Sequence, residues 1–333
     1  MAREGSKPTA TQPVVGADID RNQLVPSVDN AWLAASLVTI REYAEANDYG
    51  NLAQRADAIL QKMDFRLWYD DATHLFYWGD IQNPRGGGVA DFYSTEGRII
   101  NFVARALGQL SREEFLQSLE SLEQSAGTYD AITVEKVSWN GAYFLYASPA
   151  VFIQEMNTPY GANTTMPATQ AQIAYARNQG YDVWGLSDCY DVRDGGYVNQ
   201  GAPPVAMPDP PETRPGLVAP HATGLALNTP LASEAIINLQ TISDTFPCAY
   251  NPVYGFYDSV MADPSATDYG QCSFRFSALA QAWTFLALAN YQSGFVWDYF
   301  YRYDGVIGAH MEAFGQYQVY LPLAVHTYAG GTD

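Results

Sequence analysis

The stretch VWGLSDCYDVRDGGY, residues 183–197, sets Trp184, Tyr190 and Tyr197 among Asp188, Asp191 and Asp194, and closes on Gly195–Gly196. A surface loop has no need of tryptophan, and a buried helix has none of three aspartates. The mixture suits a cleft that stacks a flat ligand on aromatic faces and moves a proton on it. A second carboxylate, Glu96 in STEGRI, lies far upstream, so only the fold can bring it near Asp188. Acid–base chemistry on such a ligand takes one group to give a proton and another to accept one. Each candidate has a plainer alternative. Glu96, in the first turn of a predicted helix, would complement its dipole. Asp188 would serve as a turn or cap residue, and Asp194, just ahead of two glycines, reads as a turn residue.

Other residues would hold the ligand. Trp139 and Asn140 in SWNG offer a platform and a hydroxyl partner, or else packing and a cap. Trp78, with Trp68, Tyr69 and Tyr77, would rim the cleft or wedge a hairpin onto the body. Arg98 and Arg193 would bond hydroxyls or pair with the many acids. The chain has 36 acidic against 17 basic residues, a net charge of −19. That balance repels phosphate backbones and anionic membranes, and it disfavours uronates, so a neutral ligand fits best. No run of about 20 apolar residues is present to span a membrane. Cys189, Cys248 and Cys272 have no metal-type spacing, and neither a metal nor a cofactor is expected. Cys248 and Cys272 flank a turn; a disulfide and free thiols are equally compatible with that placement. No secretory signal is visible, and the polar start MAREGSKPTATQPVV leaves export open.

The elements that must position these residues are mainly helical. Leu33, Leu37, Ile40 and Ala44 recur at helical spacing, as do Leu52, Ala56, Ile59 and Met63. Ile99, Phe102, Val103, Ala106 and Leu110 predict a helix capped by Ser94 or Thr95. Ser111 and Glu114 form a capping-box signature. Residues 140–156, 167–179, 230–243 and 276–291 also read as helices. RLWYDDATHLFYWGD predicts a short hairpin, and GAPPVAMPDPPETRPG is too rich in proline for a helix or a central strand. Roughly ten helices joined alternately by short and long connections predict an all-α toroid of paired helices. Residues 1–27 are expected to be loose, and 28–333 to form one domain.

Seven segments in order carry a resemblance: VDNAWLAASLVTIREYA (28–44), FYSTEGRIINFVA (92–104), VSWNGAYFLYASPAVF (137–152), QIAYARNQGYDVWGLSDCYD (172–191), GLVAPHATGLAL (216–227), YGFYDSV (254–260) and LAQAWTFLALAN (279–290). Together they resemble the glucoamylase-like family of carbohydrate-active proteins. That family includes endo-β-1,2-glucanases and the transglycosylase domain of cyclic β-1,2-glucan synthases. The resemblance implies an (α/α)6 toroid and a glycoside hydrolase acting on a neutral glucan, most plausibly a β-1,2-glucan. Transglycosylation on a similar glucan and a non-catalytic carbohydrate-binding relative are the alternatives.

The resemblance also assigns roles. Glu96 falls where relatives carry a glutamate in TEARI-like segments, and Asp188 where they often carry glutamate in WGISES-like ones. The first position resembles a nucleophile and the second an acid/base. Aspartate at 188 shortens that arm by one methylene, which favours a water between the two carboxyls and inversion at the anomeric carbon. His221 stands where relatives often have tyrosine. Ala280 stands where many have an aspartate, before a glutamine matched by Gln281. The expected catalytic pair is Glu96 and Asp188. The expected substrate contacts are Trp78, Trp139, Asn140, Trp184, Tyr190, Asp191, Tyr197, His221 and Gln281. The partner is a neutral polysaccharide or oligosaccharide, with no nucleic acid or membrane involved. A monomer or weak oligomer, secreted or periplasmic, completes the expectation.

Overall fold

The computed structural model describes residues 26–80, 83–207 and 214–315. The expected loose segment 1–27 lies almost wholly outside these residues, as does part of the proline-rich stretch. Eleven α-helices are present among them: α1 (Ser27–Ala46), α2 (Gly50–Leu60), α3 (Arg98–Ala106), α4 (Arg112–Glu120), α5 (Tyr143–Ala147), α6 (Met166–Gln179), α7 (Pro220–Leu225), α8 (Ala232–Thr245), α9 (Ala278–Ser293), α10 (Phe295–Phe300) and α11 (Asp304–Phe314). The strands are two or three residues long and pair only as two-stranded ribbons.

The helices close into a ring. α1 packs on α3, α5 on α7, α7 on α9, α9 on α10, and α10 returns to α1. The gap between α3 and α5 is bridged by Arg98, which donates to the Leu145 and Tyr146 carbonyls at 2.8 and 2.6 Å. α2, α6 and α8 cover α1, α5 and α7 from outside, and α4 and α11 cover α3. Burial follows this division. Every residue of α5 and α7 is buried, and eight of the nine in α3. α2 and α8 each bury only three residues along one stripe, as an outer helix should. The fold is therefore the all-α toroid expected from the chain.

Three local differences matter. α3 begins at Arg98 rather than at Thr95, so Glu96 lies in the turn before the helix and not in its first turn. Thr95 Oγ1 accepts the Gly97 amide at 2.6 Å and shapes that turn. The predicted helix over 140–156 is broken: α5 ends at Ala147, and 3-10 turns at Pro149–Val151 and Glu155–Asn157 follow it. Proline at 149 cannot donate to a continuing helix. The predicted hairpin in 66–80 is reduced to a bridge between Tyr69 and Phe76, and Phe76–Tyr77 pairs instead with Val89–Ala90. The capping box is formed: Ser111 Oγ accepts the Glu114 amide and Glu114 accepts the Ser111 amide. Cys248 and Cys272 are joined in a disulfide, with Cα atoms 6.1 Å apart.

Candidate active site

The turn that carries Glu96 is held from below by Arg98. This guanidinium is wholly buried and forms a two-point ion pair with Glu155, at 2.5 and 3.2 Å. It also donates to the Thr95 carbonyl at 2.7 Å. Arg98 therefore fastens the turn to α5 rather than meeting a ligand. Asp188 precedes the strand Cys189–Tyr190, which pairs with Tyr197–Val198. Its Oδ1 accepts from Asn140 Nδ2 at 3.0 Å and from the Gln200 amide at 2.7 Å. The two donors come from loops that touch back to back. Gly141 has φ +77°, and a Cβ there would lie 2.1 Å from the Ala202 carbonyl oxygen. A Cβ on Gly201 would meet the Gly141 carbonyl carbon at 2.1 Å. Only glycine at both positions lets the loops close around Asp188.

Glu96 and Asp188 both line one cavity of about 670 Å³. Trp78, Phe92, Trp139 and Phe144 supply its aromatic walls, and Asp91 and Glu123 add two more acids. Among the described residues its lining holds four carboxylates and no cationic side chain, which disfavours a uronate or phosphate. Burial pushes the Glu96 carboxyl up from 4.5 to about 7, with the charges of Asp29 and Asp188 adding to the rise. The nearby Trp32 indole tempers it. Burial also raises Asp188 from 3.8 to about 6, against the two hydrogen bonds that favour its anion. The carboxyls thus differ in kind. One is rich in acidic neighbours, and the other is anchored by two donors on a single oxygen.

The structure divides the remaining expected contacts. Trp78 and Trp139 line the cavity, and Asn140 reaches it through Asp188. Tyr197 is exposed over much of its ring, but desolvation of its phenol end raises its pKa, and the charges of Asp188, Asp258 and Glu96 add to the rise. Tyr190 packs edge-on against Tyr197, under the Arg275 guanidinium. Trp184 does not line the cavity. It is 7% exposed in the main core, and its backbone carbonyl accepts from Asn238 and Thr223. Asp191 is spent on ion pairs with Arg193 and Arg214, so it braces the hairpin and has no free oxygen for a ligand. Asp194 makes the expected turn by accepting the Gly196 amide. Gln281 donates to the Phe256 carbonyl at 2.5 Å and ties α9 to the strand Gly255–Phe256. His221 is buried against Trp283 behind Phe144, and burial lowers its pKa to about 4, which leaves it neutral.

Asp29, Trp32 and Asp258 were not singled out by their sequence as site residues. Asp29 and Trp32 stand three apart on α1 and so share a face, a spacing that was legible. Asp258 lies in YGFYDSV. It is buried, accepts the Tyr190 amide at 2.8 Å, and is pushed up to about 6 by desolvation. Phe144, Glu123 and Met207 also join the cavity without any local signal.

Several solved structures share this fold. An endo-β-1,2-glucanase from Chitinophaga pinensis, solved with sophorotriose and glucose, aligns with a TM-score of 0.71 and 16% identity. The match covers 90% of this chain and 74% of that one. A β-1,2-glucanase from Parabacteroides distasonis gives 0.70 and 16%, over 91% of this chain and 47% of that one. An endo-β-1,2-glucanase from Talaromyces funiculosus, solved with sophorose, gives 0.67 and 15%, over 88% and 63%. Identities this low carry the fold alone. No curated protein matches the sequence. The Glycoamylase family model, which describes glucoamylase-like proteins, matches residues 97–304, well over half of the chain. The chain belongs to this glucoamylase-like family of glycoside hydrolases.

Proposed function

We propose that the protein hydrolyses a neutral β-1,2-glucan, with Glu96 as general acid and Asp188 as the carboxylate that activates water. The observation that carries this is the pairing of two unlike carboxyls in one aromatic-walled, cation-free cavity. Glu96 has acidic neighbours on two sides and keeps its proton near neutrality. Asp188 accepts two hydrogen bonds on one oxygen, which stabilise its anion. This reverses the roles that the family resemblance implies. In the proposed step Glu96 gives its proton to the glycosidic oxygen as the bond to the anomeric carbon breaks. A water deprotonated by Asp188 attacks the opposite face, and the anomer inverts. Trp78 and Trp139 stack the C–H faces of sugar rings. The fold neighbours that carry β-1,2-glucanase names support the linkage.

Incubating the purified chain with β-1,2-, β-1,3-, β-1,4- and α-1,4-glucans, with product sizing and proton NMR of the first-formed anomer, tests the proposal. Short β-1,2-gluco-oligosaccharides with inverted anomers are expected. Turnover of another linkage alone refutes the substrate, and a retained anomer refutes the role of Asp188. A second reading, a carbohydrate-binding relative without catalysis, is favoured by Ala280, which leaves that buried position on α9 without a carboxylate. Binding of β-1,2-oligosaccharides with no turnover would select it.

A further inference from the structure

A second concavity, of about 350 Å³, shares no lining residue with the first. The first gathers residues just before α3 and at the start of α5. The second gathers residues after α5, after α7 and at the end of α9, at the other end of the ring's helices. Its floor is Asn228, the last residue of the 3-10 turn that follows α7. Asn228 is 7% exposed, yet neither its amide nitrogen nor its amide oxygen has a protein partner. Gln154 Oε1, on the same wall, is also buried and unpartnered. Buried amides without partners are rare, because desolvation goes uncompensated.

Three other polar groups around it are committed to the scaffold. Asn290 donates to the Val151 carbonyl at 2.8 Å and accepts the Val296 amide at 2.9 Å. The Trp297 indole donates to the Ala150 carbonyl at 2.9 Å, and Thr229 Oγ1 to the Ala226 carbonyl at 2.7 Å. Two amide groups without protein partners thus lie in the wall of a largely apolar concavity beside the Trp297 ring.

We infer that this concavity is a second binding site for a neutral saccharide, remote from the catalytic cavity. No charged side chain lines it, so an ionic ligand gains nothing there. A primary amide offers one acceptor and one donor edge, the complement of two neighbouring hydroxyls. Trp297 and Leu227 offer apolar surface to a sugar's C–H face. The volume equals that of on the order of ten waters, which suits one or two sugar rings. Choosing a saccharide over another neutral ligand rests on the reading of the first cavity as a glucan site.

The test is an NMR titration of the ¹⁵N-labelled full chain with methyl β-D-glucopyranoside and with sophorose, read at the tryptophan indole resonances. The Trp297 signal is expected to shift saturably. Asn228→Leu should weaken that response about tenfold, the loss of a well-placed hydrogen bond. Ala232→Phe fills the rim without removing a buried group and should abolish the Trp297 response, with an unchanged melting temperature showing that the fold is kept. A Trp297 signal that stays fixed to tens of millimolar, or that shifts equally in Ala232→Phe, overturns the site. An equal response to N-methylacetamide overturns the saccharide assignment. Failure of the glucan reading would appear elsewhere, as absent turnover with the Trp297 response intact.

Discussion

Replacing Glu96 by glutamine should stabilise the protein at pH 8 and leave its stability nearly unchanged at pH 4. In the folded chain the Glu96 carboxyl titrates at about 7, against 4.5 for an ordinary glutamate. Below 4.5 it is neutral in both folded and unfolded states, and glutamine is a near-isostere. As pH rises from 4.5 to 7 the unfolded chain ionises first, so the folded state progressively loses stability. Above 7 the loss is complete. At about 1.36 kcal/mol per pH unit, that window is worth about 3 kcal/mol. Some of this is forfeited because an amide does not reproduce a protonated acid's hydrogen bond, leaving about 2–3 kcal/mol. For a chain of 333 residues that is roughly 3–4 °C in melting temperature. Paired thermal melts of wild type and Glu96→Gln at pH 4 and pH 8 give the difference of differences directly. A shift equal at both pH values, or one that destabilises at pH 8, would refute the claim that burial among Asp29 and Asp188 is what raises this carboxyl. Activity should vanish in the same variant.

Asp188→Asn keeps size and removes the base, so kcat should fall roughly 10²-fold or more in a glucan hydrolysis assay, and full activity would remove Asp188 from the mechanism. The pH profile of kcat/KM should be a narrow bell, rising near 6 as Asp188 ionises and falling near 7 as Glu96 deprotonates, both limbs being macroscopic values of the pair; a plateau from pH 5 to 9 would contradict it. Arg98→Met leaves Glu155 buried without its cation and should cost about 3–5 kcal/mol in denaturant unfolding. Gly141→Ala must push the Ala202 carbonyl away, so kcat should drop with little change in the response of Trp139 to ligand, and unaltered kinetics would show that the two loops do not position Asp188.

The outer layer of the fold was legible because α2, α4 and α8 each bury one stripe, and a stripe leaves a period. The inner layer was less so. α7 reads PHATGL and is buried on every side, so it has no polar face to reveal it, and α10 is equally short. α11 was missed although it is longer. The break at Pro149 was written in the sequence and was overridden by the apolar run around it. At the site, the family resemblance pointed to Glu96 and Asp188, and residue type to Trp78 and Trp139; all four line the cavity. Residue type misled at Trp184 and Asp191. A tryptophan that stacks a sugar and one that fills a core look alike in sequence. What separates them is a contact such as Asn238 to Trp184, or Arg214 to Asp191, made by residues far along the chain.

The closure of α1 onto α10 has a consequence for synthesis. Asp29 and Trp32, which modulate the proton affinity that burial gives Glu96, are made long before the helix near residue 300 that α1 also packs against. Contacts of such separation form late, after the loop between them has lost its freedom. The ring therefore cannot close vectorially. α1 packs early on α2 and α3, but the part of its face that meets α10 must wait until residue 300 is translated. The burial that raises Glu96 is therefore complete only once α1 and α10 have met.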